Sequence, residues 1–233
     1  MIGMEEIRDV VWQALTTVHA PLALGDRAAR RYPSAVVPFA ALREPTQEAM
    51  RDLAALLAVE EELFVGWSKA AGPLPVVDEL AVLFEITALQ MAPASTAADS
   101  LETDPRIERL DAGHGPEMVA LTDVAFPGFF RPETYRMGRY WGMREGRELV
   151  AMAGERLALP GLREISAVCT HPAYTGRGYA SALIRHVLRQ HQQDGLHSFL
   201  HVSDFNTHAI RLYERLGFVP LGATQVTRVR RVT

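Results

Sequence analysis

Apolar and polar positions recur along this chain with two different periods, and the change of period marks out its elements. Between residues 5 and 18, Ile7, Val10, Val11, Ala14 and Leu15 fall on one face at helical spacing, which predicts a helix. Residues 34–42, "SAVVPFAAL", read as a strand. Residues 45–58, "PTQEAMRDLAALLA", set Pro45 in front, acids early and apolar side chains at helical spacing, and read as a second helix. "ELFVGWS", residues 62–68, reads as a strand. From there to Met91 the chain is apolar and mixed, and the pattern resolves no element.

Residues 93–105, "PASTAADSLETDP", are small, polar and proline-containing, as linkers are. They suggest an N-terminal α/β region over residues 1–100 and a second domain over residues 101–233. Past this boundary the periods are clearer. "RIERLDA" (106–112) reads as a short strand, "GPEMVALTDVAF" (115–126) as a helix with Pro116 near its first turn, and "ETYRMG" (133–138) as a short helix. Residues 140–159 read as two strands turning around Gly146, and "REISAVCTHP" (163–172) as another strand. Residues 178–193 form a strong helix, with Ala180, Leu183, Ile184, Val187 and Leu188 in one apolar stripe. A strand (197–203), a helix (206–217) and one or two closing strands (218–231) follow. The C-terminal half is therefore mixed α/β with an antiparallel start, and no repeat between the halves stands out.

Composition narrows the class. With 48% hydrophobic and 22% charged residues, the chain suits a soluble globular protein, and 233 residues can bury a sizeable core without staples. A formal net charge of −4 gives no electrostatic case for nucleic acid; the basic tail "RVRRVT" reads as a solvated last strand. The single cysteine, Cys169, excludes an internal disulfide and any multi-cysteine metal site and fits a cytoplasmic location. The start lacks the basic and apolar blocks of a signal peptide. The most apolar run, residues 74–93, is broken by Asp78, Glu79 and Glu85 and makes a poor membrane span. The histidines at 186, 191, 197, 201 and 208 invite a metal reading, but His186 and His191 are five apart on different helix faces and no HxxxH spacing occurs. Solvated or satisfied histidines, and no metal, are expected.

Candidate chemistry concentrates in residues 169–187, "CTHPAYTGRGYASALIRHV". A strand runs out at Thr170, and Pro172 stops ladder pairing. Gly176 and Gly178 permit positive φ and leave the backbone uncovered. A helix then begins whose first N–H groups lack internal partners and whose dipole favours an anion. A phosphate or pyrophosphate fits there without a lysine, and Arg177 can add a charge-assisted contact. A tight turn leading into a core helix fits the same residues. The loop lacks the Gly-Lys-Ser/Thr ending of a nucleotide P-loop, and Ser181 replaces the third glycine of GxGxxG, so ATP and NAD are disfavoured.

Taken with "VSDFNTHAIRLYERLGFV", this stretch resembles the GNAT superfamily of acyl-CoA-dependent N-acyltransferases. The family pattern is a strand, Arg/Gln-x-x-Gly-x-Gly/Ala and a helix, followed by Asn-x-x-Ala-x-x-Leu-Tyr-x-x-x-Gly-Phe. Here Thr175-Gly176-Arg177-Gly178-Tyr179-Ala180 stands at the first motif, and Asn206, Ala209, Leu212, Tyr213, Gly217 and Phe218 carry the second. The match covers residues 149–221, and the predicted elements extend it back to 106. Thr175 departs from the usual Arg or Gln, which removes one side-chain contact to the cofactor. The wording "VCTHPAYTGRGYA" and the extra N-terminal half resemble the glycine N-acyltransferase-like branch, in which a degenerate half precedes a complete catalytic one.

The resemblance implies an α/β (α+β) fold with a mixed, mostly antiparallel central sheet flanked by helices. It implies acetyl-CoA or another acyl-CoA as cosubstrate and a small-molecule primary amine or amino-acid-like acceptor. Val168, Cys169 and Thr170 would present backbone groups to the pantetheine arm, or be plain buried strand residues. Thr175, Gly176, Arg177, Gly178, Tyr179, Ala180 and Ser181 would hold the pyrophosphate. Tyr213 would protonate the leaving thiolate as general acid; a core tyrosine is the alternative. Asn206 would contact the cofactor while capping its helix. Glu164 would be the general base, against a solvated strand-end glutamate, with His171 as an alternative base. Cys169 is not expected as nucleophile. Residues 126–135, "FPGFFRPETY", suggest an apolar acceptor wall or a piece of core. The N-terminal half would shape the cleft, form a homodimer or complete the fold. A non-catalytic CoA-binding regulatory or scaffold module is the rival reading.

Overall fold

The computed structural model describes residue 3 and residues 6–68, 72–94, 104–125 and 127–233. Its elements run α1 (Val10–Thr16), β1 (Ala29–Arg31), β2 (Phe39–Leu42), α2 (Gln47–Ala55), β3 (Glu62–Trp67), β4 (Leu80–Pro93), β5 (Glu108–Leu110), α3 (Gly115–Ala125), β6 (Tyr140–Glu145), β7 (Glu148–Leu159), β8 (Leu162–Thr170), α4 (Tyr179–Gln193), β9 (His197–Ser203), α5 (Thr207–Arg215) and β10 (Phe218–Arg231). The linker expected at 93–105 falls largely outside the described residues.

All ten strands join one sheet in the order β1-β2-β3-β10-β4-β9-β8-β7-β6-β5. Pairing is antiparallel except for β2 with β3 and β8 with β9. The last strand, β10, lies between β3 and β4, so residues on both sides of the boundary read at 100/101 share one continuous ladder. The mixed, mostly antiparallel sheet flanked by helices is the fold class that the sequence suggested.

Side-chain alternation sorts the helices to the two faces. On β9, Leu200 and Val202 join a cluster with Leu183, Ile184 and Val187 of α4 and Tyr213 of α5, while Phe199 joins one with Val10, Val11, Ala14 and Leu15 of α1. On β7, Ala151 and Ala153 meet the α4 cluster and Met152 meets Met118 and Leu121 of α3. Thus α4 and α5 cover one face, and α1 and α3 the other. The α2 helix starts at Thr46, whose hydroxyl accepts the Ala49 N–H at 3.1 Å, and packs Met50 and Leu53 against β1 and β3.

Several elements differ from the sequence pattern. The first helix is α1 over seven residues, preceded by turns. The strand read at 34–42 is confined to β2, because residues 33–37 make a turn with the Val36 and Val37 N–H groups on the Pro33 carbonyl. The unresolved apolar run contains the 14-residue β4, flanked by β10 along its length and by β9 over residues 88–91. The closing residues form one strand, with irregularities at Pro220 and Arg228 rather than a break.

Candidate active site

Two neighbouring strands part company near the middle of the sheet. The β8–β9 pairing stops at Glu164 opposite Phe199, and β9 then pairs β4 from Leu200 to Ser203. Beyond that point β8 pairs β7 alone, and it does so through two bulges. Ala167 and Val168 stand opposite the single residue Ala153, with Ala167 at φ 51°; Arg156 and Leu157 stand opposite Glu164. A bulge re-aims the strand and frees backbone groups. The gap opens into a cleft of about 220 Å³. Val168, Asn206, Ala209 and Tyr213 line it from the α4/α5 side; Val10, Val11, Phe39, Phe64, Gln90 and His201, with Cys169 of the α3 cluster, line it from the α1/α3 side.

The glycine loop leads into α4. The Thr175 hydroxyl donates to the Pro172 carbonyl at 3.1 Å, closing the turn, so this residue ties the loop locally. Gly176 and Gly178 have φ 77° and 82°, a region L side chains rarely adopt, and a Cβ on either would meet nothing within 4 Å. They are therefore required by backbone conformation, and the surface above them is open. Gly178 caps the 15-residue helix without a side-chain hydrogen bond, and the amides of Tyr179, Ala180 and Ser181 form the first helical turn, where no intrahelical acceptor exists. This backbone cradle fits an anionic pyrophosphate. Arg177 is half exposed, lies over the Tyr174 ring at 4.9 Å and stands 3.7 Å from Glu145. The Tyr179 side chain is buried and its hydroxyl donates to Glu145, so its amide alone is available to a ligand.

Asn206 caps α5 by accepting the Ala209 N–H at 3.1 Å, and it also lines the cleft. Tyr213 lies seven residues on, 8% exposed, with its ring 5.8 Å from that of Phe218. Burial pushes its phenol up to about 12, so the hydroxyl keeps its proton at neutral pH. Cys169 is buried, and burial pushes its thiol up to about 12; a thiol held protonated is no nucleophile. Thr170 pairs Ala151 in the ladder. The His171 side chain accepts the Ala173 N–H at 3.2 Å, capping the turn that follows.

Glu164 is not solvated. It is fully buried and closes the β7 bulge: Oε2 accepts the Leu157 N–H at 3.2 Å and the Arg156 Nε–H at 2.8 Å, while Oε1 meets His201 Nδ1 at 2.8 Å. Burial alone would raise this carboxyl. The Arg156 guanidinium beside it and the His201 hydrogen bond outweigh that and hold it well below the usual carboxylate range. Neither Glu164 oxygen is left free for an incoming amine. The groups of this cluster that line the cleft are Arg156, His201 and Gln90.

Gln90 was not anticipated from the sequence. Its amide nitrogen donates to the Ile7 carbonyl at 2.7 Å and lies 3.2 Å from His201 Nε2. The Nε2 atom of His201 is thereby an acceptor, and Nδ1 carries the proton toward Glu164. Neither His201 nor Arg156 was singled out as a site residue. The strand "HSFLHVS" did carry a signal, since His201 alternates with the apolar Phe199 and so shares its inward face. Phe129, within the suspected acceptor wall, lines the cleft, whereas Phe130 is buried beneath it; Phe126 lies outside the described residues.

The chain is similar in sequence and fold to known proteins. Residues 107–218 match the acetyltransferase (GNAT) family model. A solved protein of the GNAT family from Novosphingobium aromaticivorans is 35% identical, with a TM-score of 0.87 over 97% of this chain and 98% of that one. A GCN5-related N-acetyltransferase from Kribbella flavida shares the fold at 16% identity, with a TM-score of 0.67 over 100% of this chain and 97% of its own. No curated protein matches the chain. The likeness to the Novosphingobium protein runs the full length of both chains, so the N-terminal strands are common to the two structures, and on that sequence and structural identity the chain belongs to the GNAT acetyltransferase family.

Proposed function

We propose that this protein transfers an acetyl or other short acyl group from acyl-CoA to a primary amine by direct attack. One observation carries the reading. The gap between β8 and β9 opens into one cleft that Tyr213, Asn206 and Val168 line from the face of the glycine loop and Phe39, Phe64, Gln90 and His201 line from the other. Two substrates can then meet at the gap from opposite faces. CoA supplies an acyl thioester, whose pyrophosphate the amides of residues 176–181 would hold and whose pantetheine arm would run along Val168, Cys169 and Thr170.

Each remaining step falls to a side chain or amide of this chain. His201, oriented by Glu164 through Nδ1, takes the proton from the incoming ammonium at Nε2 once the amine displaces the Gln90 amide. Backbone N–H groups freed at the Ala167–Val168 bulge stabilise the charge that builds on the carbonyl oxygen. Tyr213 donates its proton to the departing sulfur, and its phenolate takes the second proton from the nitrogen as the amide forms, which restores the tyrosine. Glu164, first read as the base, becomes the group that positions the base.

Tyr213→Phe tests this assignment. It should lower kcat by roughly 100-fold, the scale of a general acid, and leave CoA affinity by calorimetry unchanged. Acetyl-CoA binding without acylation of any amine in a broad panel would instead identify a CoA-binding module without turnover.

A further inference from the structure

The acceptor side of the cleft is walled by phenylalanines. Phe64 and Phe129 stack, with ring centroids 5.1 Å apart and an interplanar angle of 24°, and Phe39 meets Phe64 edge-on at 6.2 Å and 89°. All three line the cleft, together with Ile86 and Val226. Two of the rings carry an arginine on a face. The Arg156 guanidinium lies over Phe39 at 5.0 Å and that of Arg228 over Phe64 at 5.6 Å. A preordered ring surface loses little entropy when it receives a ligand.

Charge on this wall is spent internally. Arg156 is the arginine among the described lining residues, and Glu164 neutralises it. Asp9 is the carboxylate among them, and it lies 3.8 Å from Arg8. A polycation would find no cluster of acids here. An amino acid's carboxylate would find no arginine that is not already paired. The cleft of about 220 Å³ also serves the thioester end of acyl-CoA through Val168, Asn206 and Tyr213, and benzene fills an apolar cavity of ~150 Å³. One ring-sized group fits, with space left for the reacting atoms.

We propose that the acceptor is a small primary amine carrying one aromatic or bulky apolar group and no second charge. This inference rests on the acyl-transfer reading above and names the substrate class of that site. The amine would point its nitrogen toward His201 and Gln90 at the gap and lay its apolar group on Phe39, Phe64 and Phe129. Offset stacking against fixed rings favours an aromatic group over an alkyl group of equal size.

Initial rates with acetyl-CoA and four probes test it: 2-phenylethylamine, ethylamine, spermidine and free phenylalanine. The expected kcat/KM for 2-phenylethylamine exceeds that for each of the others by at least about 100-fold, since the smaller amine forgoes the whole ring contact and the charged ones strand a charge on an apolar wall. Phe64→Leu and Phe129→Leu, which keep the wall apolar, should each raise KM for 2-phenylethylamine roughly tenfold. The loss in kcat/KM should be several-fold larger for 2-phenylethylamine than for ethylamine, which makes no ring contact. Spermidine or free phenylalanine performing as well as 2-phenylethylamine would overturn the inference and leave acyl transfer standing. If no amine turns over, thermal shift of the CoA-bound protein decides the acceptor separately. Stabilisation by 2-phenylethylamine but not by spermidine keeps the pocket assignment, and its absence removes it.

Discussion

A side chain can move a proton only as far as its existing partners release it, and Glu164 and Tyr213 differ in this respect. Tyr213 keeps its proton, because burial pushes its phenol up to about 12. Glu164 has given its proton up and is held by Arg156, His201 and the Leu157 amide. Replacing Glu164 by Gln leaves the Arg156 guanidinium next to a buried site without its counter-charge. Breaking one side of a buried pair costs roughly 3–5 kcal/mol, or about 10 °C in Tm for a chain of this size. Adding Arg156→Met to Glu164→Gln removes the stranded cation and should recover part of that loss, which thermal melts of both single variants and the double variant will measure. An unchanged Tm in Glu164→Gln, with only kcat reduced, would mean that the carboxylate is a base in its own right and not the anchor of this cluster.

At the scale of elements, what was legible is what is local. The glycine turn, the α4 stripe and the Asn206 cap depend on residues within a few positions of one another, and each appears where the pattern put it. The α5 cap has a measurable consequence. Asn206→Ala should cost about 1 kcal/mol through the lost hydrogen bond to Ala209, and Asn206→Asp should restore it, as urea denaturation would show; equal stability of the Ala and Asp variants would mean that the cap contributes nothing. What escaped the pattern is set by distant partners. β1 is three residues, "ARR", and exists because β2 pairs with it. β4 shows no alternation, since its residues 82–85 are exposed and its residues 88 and 90–92 are buried. The bulge at Ala167 puts an alanine at positive φ with no glycine to announce it. Arg156 and His201 were missed for the same reason: the partner that gives each its role, Glu164, is eight and 37 residues away.

Across the whole molecule, two buried ionic clusters tie together parts of the sheet that no single helix spans. One joins β7, β8, β9 and β4 to the turn before α1 through Arg156, Glu164, His201, Gln90 and the Ile7 carbonyl. The other joins β7 to α4 and β9, with Glu155 bonded to Arg139 and to His191, and His191 to Ser198. Acid should therefore unfold the protein as a unit. For Glu155, burial opposes ionisation, but His191, the Arg139 amide and the Arg139 charge outweigh it and bring the carboxyl down to about 2 from an ordinary 4.5. A carboxyl depressed in the folded state lends stability above its unfolded value, and that stability is lost as pH falls through the folded value. From Glu155 alone this amounts to roughly 3 kcal/mol, lost between about pH 4.5 and 2, with Glu164 adding a loss in the same direction. His19 contributes earlier: burial lowers its pKa from 6.5, so its neutral form favours folding and some stability goes as pH drops below that value. Stability from urea titrations should thus be flat between about pH 7 and 8.5, decline gently below 6.5 and fall steeply below 4.5, and it should fall again above about pH 9, where the buried Cys169 thiol and Tyr213 phenol resist ionisation in the folded chain. Glu155→Gln should lower the neutral-pH stability and flatten the steep limb, by up to about 1.4 kcal/mol per pH unit for the one proton removed. A variant whose acid limb keeps the wild-type slope would show that Glu155 is protonated alike in the folded and unfolded chains, and the second cluster would then have no part in acid unfolding.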